Sequence, residues 1–139
     1  MRIIIPKDQM ALIHANGVKA YPDEGVGFLF GLDGVVRQVK AVYNLPNTRE
    51  KEARYDRFLV APQDYLKGEW EAERLGLDVI GVFHSHPDSS NLASEYDREW
   101  AQPFFSYVIT SVYTGQALES RSWRLTDDRS RFLEELIES

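Results

Sequence analysis

The sequence predicts a mixed α+β domain: several antiparallel strands in one sheet, with helices packed on it. Three observations predict it. The runs "GVGFLFGL" and "VVRQVKAVYN" are separated by Asp33-Gly34, a dipeptide suited to the tight turn of a hairpin. "DVIGVFH" is continuously apolar, as a strand covered on both faces should be. Two other segments space their apolar residues with a helical period. The 139 residues contain no repeat, low-complexity tract or Gly/Ser linker, so a single domain over 1–139 is expected.

Taken in order, "RIII" reads as a short strand and Lys7 to Ala20 as a helix, with Met10, Ile13 and Gly17 marking its inward face. The hairpin runs follow, then the polar loop "NLPNTREKEARYD". Pro62 suits the first turn of a helix reaching about Leu75, with Tyr65, Gly68 and Ala72 on one stripe and Gly76 ending it. "DVIGVFH" comes next and delivers His84 at its end. Ser94 to about Ala101 reads as helix, and "FFSYVITSVY" and "ALESRSWRL" as strands joined across Thr114-Gly115-Gln116. Arg129 to Glu138 predicts a closing helix, because Phe132, Leu133, Leu136 and Ile137 fall on one helical face.

Composition excludes several classes of function. No window approaches the roughly 18 apolar residues of a membrane span. "MRIIIPKDQM" offers only three consecutive isoleucines, too few for a signal peptide, so a cytoplasmic location is expected. The absence of cysteine removes disulfides, thiol nucleophiles and thiolate metal sites, leaving nitrogen and oxygen as the only metal donors. With 16 basic and 22 acidic residues the net charge is −6 and the basic residues are dispersed, which argues against a nucleic-acid partner.

The chain has three histidines, and two of them stand in "GVFHSHPDSSNLASEYDREW". On an extended strand residues i and i+2 share a side, so His84 and His86 can aim both imidazoles at one point. Pro87 ends the extended segment, and Asp97 can bring a carboxylate oxygen to that point from the next helix. Two neutral imidazoles and a carboxylate suit zinc, with a fourth position left for water as in a catalytic site. "SEYD" also fits a capping box, in which Ser94 and Asp97 satisfy free amides at a helix start; the two readings are compatible.

"HSHPDSSNLASEYD" resembles the HxH-x(7)-SxxD signature of the JAMM (MPN+) zinc metallopeptidases, with a proline as the first of the seven spacer residues. "EGVGFLFG" resembles the family's upstream glutamate segment. "RYDRFLVAPQDY" and the C-terminal "SWRL" are also similar to the compact prokaryotic members. The resemblance implies a curved sheet flanked by helices, related in shape to cytidine deaminases, and one zinc per chain held by His84, His86 and Asp97. It implies Glu24 as the general base toward the metal-activated water and then the acid for the leaving amine. Ser94 is implied as a donor to the oxyanion or as the group that steadies the water. A deaminase itself is disfavoured, since its zinc pattern requires cysteines.

Ser85 should face the opposite side of its strand. His14 reads as a structural or surface histidine, Asp88 and Glu95 as solvated charges, and Trp70, Trp100 and Trp123 as core or partly buried packing. The resemblance implies cleavage of an amide or isopeptide bond after the tail of a ubiquitin-like or sulfur-carrier protein, whose extended tail could add to a sheet edge or loop. Alternatives are a more general zinc peptidase and a non-catalytic MPN-type scaffold.

Overall fold

In the computed structural model, which describes residues 1–139, strand β1 (Arg2–Ile4) leads into helix α1 (Lys7–Ala20). The hairpin then forms as β2 (Val26–Leu32) and β3 (Arg37–Leu45). The polar loop contains one 3-10 turn at Lys51–Ala53 and ends at helix α2 (Pro62–Arg74), which has proline in its first turn. Gly76 follows at φ 70, a left-handed conformation that stops the helix with no Cβ penalty. Strand β4 (Asp78–Pro87) precedes the short helix α3 (Glu95–Trp100), and β5 (Ser106–Tyr113), β6 (Gln116–Leu125) and β7 (Phe132–Glu138) complete the chain.

The sheet is mixed and curls until it closes, in the order β1-β3-β2-β4-β5-β6-β7 with β1 also paired to β7. The β1–β3, β1–β7 and β4–β5 pairs are parallel and the others antiparallel. Closure leaves few backbone groups for strand addition, the route the sequence suggested for an extended tail. The outer side of β3 beyond Gln38 is one such stretch, because β1 reaches only Arg37 and Gln38.

Alternation along β2 divides the interior in two. Val26, Phe28 and Phe30 pack with Val82, Phe105, Tyr107 and Ala72 of α2. Leu29 lies on the other side, among Ile3, Ile5, Ile13 of α1, Phe83 and Val108. Helix α1 touches β3, β4, β5 and β6, so the sheet wraps around it. Gly17 permits that fit, since a Cβ there would stand 3.0 Å from the Cβ of Ser85.

The expected closing helix is not formed: Phe132–Glu138 is β7, paired to both β6 and β1. Its apolar spacing suits a helix, but Glu135 is fully buried and points where a strand reading would expect an apolar residue. Ser106 and Ser122 donate to its carboxylate at 2.7 and 2.9 Å, and Arg124 donates at 2.9 Å. Arg37, 5% exposed, donates to Ser106 Oγ and to the carbonyls of Ile80 and Phe104. Pairing and hydrogen bonding satisfy these charges, as burial requires. Two tryptophans also depart from expectation. Trp70 and Trp100 are 60% and 70% exposed, and only Trp123 packs against the core.

Candidate active site

The sidedness of β4 sets the site. Val82, His84 and His86 face the α2 side, whereas Ser85 turns towards α1 and accepts a hydrogen bond from Gly25 N at 2.8 Å. His84 and His86 are 1% and 6% exposed, and their Nε2 atoms lie 3.2 Å apart. The tautomer of His86 follows from its other nitrogen, Nδ1, which is 2.7 Å from the Ser90 carbonyl. A carbonyl only accepts, so Nδ1 carries the hydrogen and a neutral ring presents its Nε2 lone pair to the site.

Helix α3 supplies the carboxylate. Ser94 is its N-cap: its Oγ accepts from Asp97 N at 3.1 Å, while its own N donates to Asp97 Oδ2 at 2.8 Å. The capping box and the convergence on the histidines therefore coexist. Asp97 Oδ1 is 3.0 Å from His84 Nε2, and Oδ2 is 3.2 Å from His86 Nε2. Burial alone would raise the Asp97 pKa, but with no metal between them the two imidazoles, when protonated toward the carboxylate, outweigh it and hold the carboxyl far below the usual range.

The two imidazole nitrogens and the two oxygens of the Asp97 carboxylate thus form a close set of donors. Zinc bound by nitrogen or oxygen at about 2.0–2.1 Å in a tetrahedron separates its ligands by about 3.3 Å. The observed separations of 3.2, 3.0 and 3.2 Å are close to that spacing, with the Asp97 carboxylate spanning the two imidazoles, one oxygen on each. The arrangement and the donor chemistry both suit the metal.

Glu24 reaches the same place from β2. Val26 is opposite His84 in the β2–β4 ladder, so extending the register by two places Glu24 next to His86. Glu24 N donates to Arg54 O at 2.7 Å, and Asn47 Nδ2 donates to Glu24 O at 2.9 Å, so its backbone is held by the loop preceding α2. Gly25 lies flush on α1; a Cβ there would be 2.3 Å from Asn16 Oδ1. The Glu24 side chain is 3% exposed and its Oε1 has no hydrogen-bond partner. One carboxylate oxygen of Glu24 and one nitrogen from each of His84 and His86 lie within 4.8 Å of one another. Burial, reinforced by the charges of Asp97 and Asp56, pushes the Glu24 carboxyl up to about 9.

Two features that the sequence reading did not single out support the site. Arg129, at φ 63, donates to the carbonyls of Arg98, Glu99 and Ala101, and Arg98 donates to Arg129 O at 3.0 Å. This pair ties down the C-terminal end of α3, whose carbonyls would otherwise lack partners. Beside His84 and Asp97 opens a cavity of about 470 Å³ with aromatic walls, among them Phe58 and Tyr65. No local motif announces either feature, because each depends on segments far apart in the chain.

The four residues Glu24, His84, His86 and Asp97 are thus brought together, with Ser94 adjacent to Asp97. The Ser94 oxygen accepts in the cap, which leaves its O–H free to donate. His14 lies elsewhere, 3.0 Å from Ser120 Oγ, with its pKa lowered by burial. Asp88 accepts from Tyr21 OH and Thr114 N, and Glu95 pairs with Arg98 on the surface. No helix is long and apolar enough to cross a membrane.

Compared with known proteins, residues 6–126 match the family described as prokaryotic homologs of the JAB domain. A desampylase of Pyrococcus furiosus is 33% identical over 125 residues, covering 90% of this chain and 82% of that protein. A probable TtuB-protein conjugate cleaving protease of Thermus thermophilus is 31% identical over 107 residues, covering 77% and 68%. A solved Desulfitobacterium hafniense protein superposes with a TM-score of 0.84 at 30% identity, covering 98% of this chain and 91% of that one. A JAB1/MPN domain protein of Archaeoglobus fulgidus shares the fold at a TM-score of 0.59 and 21% identity, with both chains fully covered.

Proposed function

This chain belongs to the family of prokaryotic JAB-domain homologues, and from that premise we propose a zinc-dependent hydrolase that cleaves an amide or isopeptide bond. The bond follows the C-terminal tail of a small ubiquitin-like or sulfur-carrier protein. The observation that carries the reading is the close set of His84 Nε2, His86 Nε2 and the two Asp97 carboxylate oxygens, separated by 3.0 to 3.2 Å, with the buried, unpartnered Glu24 carboxyl beside it. The names of the two relatives, a desampylase and a probable conjugate-cleaving protease, support cleavage of a protein conjugate.

His84, His86 and Asp97 would hold the ion. When bound, zinc supplies a Lewis acid that makes water a nucleophile near neutral pH, and a positive charge that draws the proton off Glu24. Glu24 takes a proton from the attacking water and returns it to the leaving nitrogen, a role that its buried, partner-free oxygen supports. Ser94 donates its free hydroxyl hydrogen to the oxyanion, held at the start of α3 by its cap. The capping box fixes Asp97 by the same hydrogen bonds.

The test is to purify the protein without chelator, measure zinc per chain, and incubate it with carrier proteins extended beyond their tails. Near one zinc and cleavage that Glu24→Gln abolishes, with zinc retained, is the expected result. Full activity in Glu24→Gln, or undiminished zinc in a His84→Ala/His86→Ala double variant, would sink the mechanism.

A further inference from the structure

The cavity beside His84 and Asp97 has a chemistry that cleavage alone does not require. At about 470 Å³ it lies within the roughly 300–1,000 Å³ range of small-molecule pockets. Its walls come from three places: Phe58 and Val60 of the loop before α2, Tyr65 of α2, and Trp100, Phe105 and Tyr107 at and after α3. Phe58 also packs on the His84 ring, with centroids 4.9 Å apart. The apolar surface is therefore continuous with the proposed site, and a group entering the cavity remains within reach of the bond being broken.

Arg49 adds a second observation. It lines the same cavity, and its buried Nε has no hydrogen-bond partner. The Glu50 carboxylate is 3.1 Å away but not in hydrogen-bonding geometry. Glu50 balances the charge of Arg49, but no side-chain N–H of Arg49 makes a hydrogen bond within the chain, which leaves the guanidinium able to donate to an oxygen acceptor in the cavity. Arg57 is already engaged, donating to Asp56 at 3.2 Å and to Tyr96 OH at 2.8 Å. Glu99 also lines the cavity and makes it a poor host for an anion without a specific donor.

We propose that this cavity receives the residue on the leaving side of the scissile bond, and that it selects a large apolar, preferably aromatic, side chain there. Arg49 donates to the oxygen on that residue's own carbonyl carbon, whether a free carboxylate or the next peptide carbonyl. The assignment to the leaving side rests on the proposed function, in which the acyl side is an extended carrier tail. On this reading a linear extension with a bulky first residue is a better substrate than an isopeptide-linked lysine, which offers no aromatic ring.

The experiment uses the zinc-loaded full chain and two readouts. In the first, peptides of one tail sequence followed by Phe, Leu, Lys or Gly compete for cleavage. Burying an aromatic side chain should favour Phe over Gly by about 10- to 100-fold in kcat/KM. In the second, phenylalanine, phenylalaninamide and glycine are titrated into Glu24→Gln by nuclear magnetic resonance, following the Trp100 indole. Phenylalanine should shift it and glycine should not; phenylalaninamide binding equally well identifies a carbonyl as the acceptor, and weaker binding a carboxylate.

Val60→Phe, which fills the cavity from the loop, should bring the Phe-to-Gly ratio to about one, and Arg49→Ala should weaken phenylalanine binding. Equal cleavage of all four peptides, or a preference set by the residue before the bond, overturns the proposal and leaves the hydrolase reading intact. An absence of zinc and of cleavage, with phenylalanine still bound, overturns the hydrolase reading instead. Phenylalanine binding no tighter than glycine overturns the cavity assignment, whatever the cleavage result.

Discussion

Replacing Glu24 with glutamine should change how the stability of the metal-free protein depends on pH. In the folded chain burial pushes the Glu24 carboxyl to about 9, against an ordinary value of 4.5. Between those values the unfolded chain releases a proton that the folded chain keeps. Stability therefore falls as pH rises from about 4.5 to about 9, by up to about 1.4 kcal/mol per pH unit. By pH 7 the loss is about 3 kcal/mol. Glutamine keeps the shape and cannot ionise, so Glu24→Gln should lack this component. Urea unfolding of chelator-treated protein at pH 5, 6, 7 and 8 measures it, with the difference between wild type and variant isolating Glu24 from other titrating groups. Parallel profiles for the two proteins would refute the reasoning. With one zinc restored per chain the profiles should converge, because a cation beside Glu24 favours its charged form.

Asp97→Asn keeps an acceptor for Ser94 N but removes the ligand charge. Zinc affinity in chelator competition should fall by more than the roughly 10–100-fold typical of outer-shell changes, with helix content retained by circular dichroism. Ser85→Ala deprives the buried Gly25 N–H of its acceptor and should cost about 1–3 kcal/mol in urea unfolding, with zinc stoichiometry unchanged. Arg129→Ala frees the carbonyls at the end of α3 and should weaken zinc binding about 10-fold; unchanged affinity would show that α3 holds Asp97 unaided. Glu135→Ala leaves Arg124 without its buried partner and should cost about 3–5 kcal/mol, read from the urea midpoint.

Much of this architecture is written locally, and the exceptions have physical causes. Helices α1 and α2 and the Asp33-Gly34 hairpin follow from apolar period, proline placement and turn chemistry, all properties of short windows. Residues 132–138 could not be read this way. Phe132, Leu133, Leu136 and Ile137 satisfy a helical stripe, and the strand exists because β1 and β6 flank it and Arg124, Ser106 and Ser122 receive Glu135. The paired histidines were visible because two residues on one strand share a side. Glu24 was visible only through its resemblance to a family segment, since its place beside His86 follows from a β2–β4 register spanning about sixty residues. The exposure of Trp100 depends on how three separate segments meet around a cavity.

The closure of the barrel bears on how the chain folds. Strand β1 is three residues long, yet it is the only link between β3 and β7, pairing Ile3 with Arg37 on one side and Ile137 on the other. During synthesis the first contact can form early, but the second must wait until β7 has been made. Until then β7 and one side of β1 present open edges of the kind that recruit other chains. Closure across such a long stretch of sequence is entropically slow. Variants that shorten or polarise β1 should therefore raise aggregation more than they lower equilibrium stability.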